Sequence, residues 1–289
     1  PVAAGLMAGA PVPDTVTETP AVQAVFCIDV RSEIYRRALE AASAGRVETM
    51  GFAGFFALFI EYQPLGSEMV RPQLPGLLHP GLRVTDECDT PERGDALAQT
   101  RRKRLLWRQQ WQTFRGGAGS TFSFVESCGL LYGAKLLKSR LGGEKDAVPV
   151  ERTGLATEAL RTLRPRFPAR GGPDIEARVA MAATVLGATG LTTGWARVIL
   201  LAGHGSTSAN NPHAAGLDCG ACGGQTGEVN ARALAALMND PAVRVGLKAK
   251  GFDIPDSTIF VGALHNTTTD EMQLYDTDLV PPSHARDLE

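Results

Sequence analysis

Residues 21–33 read AVQAVFCIDVRSE. The run Ala21–Val30 is apolar and β-branched enough for a buried strand. Ser32 offers an N-cap ahead of Glu33 and Ile34, so the pattern predicts a helix to about Ala44, closed by Gly45. Val47–Ile60 then reads as a second strand running into an apolar helical turn. Strand, helix and strand in this order open an α/β fold.

The same pattern returns late in the chain. Ala196–Ala202 (ARVILLA) and Ser257–Leu264 (STIFVGAL) are buried-strand runs, with a helix over Glu228–Met238 between them. Residues 62–95 are rich in Pro and Gly and read as a long loop. Asp95–Phe114 and Phe122–Leu137 read as helices, 142–173 as loose chain, and Asp174–Leu186 as a further helix. The resulting organisation is an extended lead-in at 1–20, an α/β core from 21–61 and 174–280, and a helical and irregular insertion at 62–173. The expected sheet is mostly parallel with flanking helices.

The hydrophobic fraction of 44% and charged fraction of 21% are those of a folded globular chain, which excludes wholesale disorder. The 29 basic residues against 31 acidic ones give −2, so no global basic field argues for nucleic acid. Five cysteines, an odd count, do not make a disulfide scaffold in a chain of 289 residues. They read as thiols, core residues or metal ligands in a reducing compartment. The uncharged apolar stretch Met50–Ile60 is short of the roughly 20 residues a bilayer span needs. The start at Pro1 shows no signal-peptide pattern, and with linker-like residues at 281–289 it reads as a piece of a longer protein.

Three strands end in polar, reactive residues, and parallel α/β sheets gather their sites at strand C-termini. In an extended strand Cys27, Asp29 and Arg31 would share one face, with Arg31 holding the carboxylate ionised. A buried thiol beside a surface ion pair is the plainer alternative. His204, between Gly203 and Gly205, is a ligand or a satisfied structural histidine. Asp218–Gly224 (DCGACGG) holds a C-x-x-C pair, but no second pair exists to complete a four-ligand structural zinc site. Its place in a late loop also disfavours a thioredoxin-like role. Cys27, His204 and Cys219 together supply two thiolates and an imidazole, which with an open fourth position describes a catalytic zinc site. Such a metal lowers the pKa of bound water toward about 7. Asp29 would stand beside that water, with Arg31 keeping it off the metal.

Cys27-x-Asp29-x-Arg31 followed by a distant His and Cys resembles the zinc pattern of the β-carbonic anhydrases. That family sets its later His and Cys close together, whereas here positions 204 and 219 are 15 apart. With the wider spacing, GHGSTSANNP (203–212), DCGACGGQTGEVNAR (218–232) and HNTTTDE (265–271) are similar to the DabA family of inorganic-carbon transporter subunits, over about Val22 to Tyr275. The resemblance implies a β-carbonic-anhydrase-like fold, Zn²⁺ on Cys27, His204 and Cys219, Asp29 as catalytic carboxylate and Arg31 as its partner. It implies hydration of CO₂ to bicarbonate in an energy-coupled uptake complex. The partner would be a DabB-type membrane subunit, and the location peripheral, on the cytoplasmic face of the inner membrane. The rivals are a free-standing soluble carbonic anhydrase and a non-catalytic, zinc-stabilised scaffold with Asp29 or Cys222 as fourth ligand.

The remaining residues carry plainer expectations. Cys222 is an alternative to Cys219, Cys88 and Cys128 are plain thiols, and His213 is loop surface. His265 and Asp270 are either structural or a proton shuttle. Asn210 and Asn211 steady the loop by bonding its backbone. Arg101–Arg108 is a solvated helix face or a docking surface for a membrane partner or anionic lipid. Phe52, Phe55 and Phe56 are core, with a CO₂ channel as the alternative.

Overall fold

The computed structural model describes residues 19–142, 153–208 and 212–288, so Asn210, Asn211 and nearly all of the expected lead-in lie outside the described residues. The first half runs β1 (Val22–Cys27), α1 (Val30–Ala42), β2 (Val47–Phe52), β3 (Ile60–Gln63), β4 (Arg71–Gln73) and β5 (Leu82–Glu87). It continues through α2 (Pro91–Gly116) and α3 (Thr121–Gly142) to β6 (Arg164–Arg166). Then come α4 (Ile175–Thr189), β7 (Val198–Gly205), α5 (Glu228–Asn239), α6 (Pro241–Ala249), β8 (Ile259–Asn266) and β9 (Glu271–Leu274).

The main sheet has the order β2-β1-β7-β8-β9, parallel throughout except for antiparallel β9. This is the α/β core expected from the two ends of the sequence. The central strands are buried on both faces, as their near-continuous apolar runs require. One face sends Val25, Cys27, Ile199 and Leu201 into a core shared with Leu234 of α5 and Leu247 of α6. The other sends Ala24, Phe26, Ala202 and Ala263 toward Tyr35 and Leu39 of α1.

The structure corrects several boundaries. β1 stops at Cys27, and Asp29 rather than Ser32 caps α1: its backbone is extended (φ −152°) and its carboxylate accepts from Arg31 N–H. Asp and Ser are comparable N-caps, and here Ser32 is buried against the sheet. Cys27, Asp29 and Arg31 therefore do not lie along one strand. β7 and β8 run on through His204 and His265, which pair in register.

Residues 62–95 are not a plain loop. They carry most of a second sheet of order β4-β3-β5-β6, in which only β3 and β5 run parallel. Its strands are short and half-exposed, and Pro72 and Pro165 sit within them. The helix α6 goes beyond the sequence reading, although Asp240 at its N-cap and Pro241 at its first position mark it. Arg101, expected on a solvated face, is buried and donates to the carbonyls of Thr153 and Leu65.

Candidate metal centre

The site forms where β1 and β7 end. A Cβ on Gly203 would lie 2.5 Å from the backbone of Gly227, so only glycine lets the start of α5 touch β7 here. Gly227 N–H donates to the His204 carbonyl at 2.9 Å. The long loop between them is thereby folded back over the strand end from which it left. Asp218 steadies it by accepting from Ser206 and Ser208.

Within that loop the C-x-x-C pair is a tight turn. The N–H groups of Cys222 and Gly224 both donate to the Cys219 carbonyl at 3.2 Å, and Gly223 and Gly224 take left-handed backbone angles. The turn aims both thiols at His204, which is buried. Cys222 Sγ is 3.4 Å from His204 Nε2. The ligand atoms of His204, Cys219 and Cys222 all lie within 4.8 Å of one another, and they are the metal-competent group of this kind among the described residues.

Asp29 Oδ2 stands 3.8 Å from His204 Nε2. Arg31 binds both carboxylate oxygens at 3.0 Å through Nε and Nη2, and its N–H adds a third bond at 2.9 Å. These bonds hold the Asp29 carboxyl below its ordinary range, against the opposing effect of burial. The remaining nitrogen, Nη1, donates to the Leu217 carbonyl, two residues before Cys219. Arg31 thus ties the carboxylate to the thiol loop. Burial lowers the pKa of His204, with Asp29 pulling the other way, so the imidazole rests neutral and available as a donor atom.

Cys27 is placed differently. Its side chain belongs to the hydrophobic core, and its Sγ accepts the Phe55 N–H at 3.2 Å. Burial pushes the thiol up to about 11, while the main-chain N–H groups of Phe55 and Phe56 pull it down. Cys219 and Asp29 are both near enough to raise it further. The donor turn is unusual. Phe55, Phe56 and Ala57 have φ of 54°, 55° and 52°, a left-handed run in residues that pay a steric cost for it. Asn230 of α5 braces this turn, donating to the carbonyls of Phe55, Leu58 and Gln73. Phe55 and Phe56 are themselves buried core.

The other candidates lie apart from this group. His265 is wholly buried; Nδ1 meets Ser32 Oγ at 2.9 Å and Nε2 meets Asp270 at 3.3 Å. Cys88 faces Thr162, and Cys88, Cys128 and His213 are outside the metal-competent group. Sequence reasoning missed Asn230, whose signal is a lone amide on the apolar side of α5. It also missed Ser32 as a partner of His265, and nothing in the sequence announces that contact.

Two thiols and an imidazole form a donor set suited to Zn²⁺. The residues fit such an ion: the donors converge, a carboxylate stands beside them, and His204 Nδ1 is buried without a hydrogen-bond partner.

The family described as "Probable inorganic carbon transporter subunit DabA" matches residues 2–289. The chain is 48% identical to a protein of that description from Bradyrhizobium sp. (strain BTAi1 / ATCC BAA-1182), over 98% of this chain and 34% of the relative. It is 50% identical to one from Vibrio cholerae serotype O1 (strain M66-2), over 93% and 31% respectively. A third, from Acidithiobacillus ferrooxidans (strain ATCC 53993 / BNL-5-31), is 45% identical over 95% and 34%. The chain spans about a third of the length of these relatives. No solved structure matches.

Proposed function

The chain belongs to the DabA family of probable inorganic carbon transporter subunits, and from that premise we propose that it carries a zinc centre that hydrates CO₂ to bicarbonate. The observation that carries this reading is the meeting of His204, Cys219 and the Asp29–Arg31 pair at one end of a parallel sheet. Cys27 is the third ligand. Burial raises the free thiol, the N–H groups of Phe55 and Phe56 oppose that, and a bound cation would complete the stabilisation of a thiolate; strained backbone of this kind also gathers at functional sites. When bound, Zn²⁺ supplies the Lewis acidity that makes a water nucleophilic near neutral pH.

The chain's own residues do the rest. Asp29, kept ionised by Arg31, accepts a proton or a hydrogen bond at Oδ2. Arg31 occupies the other lone pairs and so stops the carboxylate from rotating into the ligand set. The buried rings of Phe55 and Phe56 exclude water from the Cys27 side. The energy coupling, the DabB-type membrane partner and the peripheral placement on the cytoplasmic face are part of the same reading. They rest on the resemblance and on the relatives' description as transporter subunits.

A second reading is favoured by the 3.4 Å separation of Cys222 Sγ and His204 Nε2: Cys222 replaces Cys27 in the ligand set. Metal analysis of the full-length protein separates the two. About one zinc per chain is expected. It should be lost in Cys27→Ala, His204→Ala and Cys219→Ala and kept in Cys222→Ala and Asp29→Asn. Loss in Cys222→Ala with retention in Cys27→Ala selects the second reading. No zinc in the parent protein, or retention in both His204→Ala and Cys219→Ala, overturns the centre. In the assembled complex, Asp29→Asn should abolish CO₂ hydration while holding its metal.

A further inference from the structure

Charge on this chain is concentrated in one place. Residues 101–140 hold nine Lys and Arg and a single acidic residue, Glu126, a local net of +8 in a chain whose total is −2. The remainder of the chain therefore carries −10. The segment forms the hairpin of α2 and α3, turned at Gly117. Some cations elsewhere, Arg36, Arg83 and Arg197 among them, meet a carboxylate. On α2, Arg102, Lys103 and Arg115 have no partner among the described residues, and Arg104 and Arg108 reach only Gly154 O and Thr153 Oγ1.

Large apolar groups are interleaved with these charges. Trp111, Phe114, Phe124 and Tyr132 lock the two helices together, with ring centres 5.2 to 6.0 Å apart. That cluster closes the hairpin and leaves Leu106, Trp107, Phe122, Leu130 and Leu131 outside it. Leu130 is 93% exposed and Trp107 69%. Buried Arg101 ties α2 to the carbonyls of Leu65 and Thr153. The hairpin thus presents apolar and cationic side chains over residues 101–116 of α2, about 24 Å of helix.

We propose that this hairpin lies on the surface of an anionic lipid bilayer. Interleaved Trp, Leu and Arg along a helix match the headgroup boundary, where rings sit at the interface and cations meet lipid phosphates. A protein-binding patch instead gathers its apolar groups at a core and its charges at a rim. The +8 excess asks for a broad anionic counter-surface, which a phosphatidylglycerol-rich leaflet provides. Among the described residues no helix is long and apolar enough to cross a membrane, so the contact is along the surface. The inference does not depend on the metal centre.

The test is sedimentation of the full-length protein with vesicles of phosphatidylglycerol and phosphatidylcholine, against vesicles of phosphatidylcholine alone. Binding to the anionic vesicles, weakened by 0.5 M salt and absent from the neutral ones, is expected. The triple variant Arg102→Gln, Lys103→Gln, Arg115→Gln should bind about 100-fold more weakly with an unchanged thermal melt. Trp107→Ser should also weaken binding, and the parent's tryptophan emission should shift to the blue on anionic vesicles. Equal binding to both vesicle types, or an unaffected triple variant, overturns the proposal. So does failure to bind vesicles combined with loss of a co-purifying membrane protein from the triple variant, which would make the hairpin a protein-docking face.

Discussion

His204 and His265 face each other in register on β7 and β8, both buried, at the same end of the same sheet. Their surroundings differ. His265 has both ring nitrogens engaged, by Ser32 and Asp270, and Tyr35 lies against it at 4.4 Å. His204 has an unpartnered Nδ1 and turns Nε2 toward thiols and a carboxylate. A satisfied histidine holds a fold together; one surrounded by soft donors is equipped to hold a metal. Strand position does not separate these roles, because what separates them is which loop folds over each ring.

The largest test removes the contrast altogether. Gly203→Ala forces a Cβ into the Gly227 backbone, so the loop cannot close over His204. A loss of about 3 kcal/mol or more is expected by thermal melting, whereas Gly81→Ala, with open space around it, should be neutral. The second test sets the two rings against each other. His265→Ala should cost about 2–3 kcal/mol in a urea titration through the cavity and the stranded Ser32 hydroxyl, with zinc retained. His204→Ala should lose zinc at a smaller cost to the metal-free fold. Zinc loss in both would make the pair one site and end the distinction.

A third test uses protons. Burial lowers the pKa of both histidines below 6.5, so between the folded values and 6.5 the unfolded chain binds more protons than the folded one. Stability of the metal-free protein should therefore fall as pH drops below about 6.5, and His265→Gln should flatten that slope. An unchanged slope would remove His265 from the account. The smallest effect is expected from Arg31→Lys. Lysine cannot grip both oxygens of Asp29 and the Leu217 carbonyl at once. About 1 kcal/mol should be lost, and Cys219, half-buried in the loop, should react faster with a thiol reagent.

How much of this was legible in the sequence varies by element. β1, β7 and β8 announce themselves because strands buried on both faces are continuously apolar. The polar residues at their ends point to the strand termini where His204, Cys219 and Asp29 meet. The second sheet stayed hidden because strands of three to six half-exposed residues carry too little pattern. Asp29 and Ser32 are equivalent N-caps on paper, and only packing against β8 assigns them. Arg101 looks like its basic neighbours, and only the distant carbonyls of Leu65 and Thr153 mark it as buried. No glycine marks the left-handed turn at Phe55–Ala57, since a side-chain amide 173 positions after Ala57 braces it.

That turn and the Arg31 tether also impose a timetable. Cys27 meets its Phe55 donor 28 residues along the chain, but Arg31 must wait 186 residues for Leu217. At 5–20 residues per second, synthesis leaves roughly 10–40 s during which the first thiol exists without its later companions. The Phe55–Ala57 turn is near in the chain, but its brace, Asn230, and the core that buries Cys27 come only with α5. Stalled ribosome complexes carrying the chain to residue 100 should therefore show Cys27 quick to alkylate, and slow alkylation there would contradict this order of assembly.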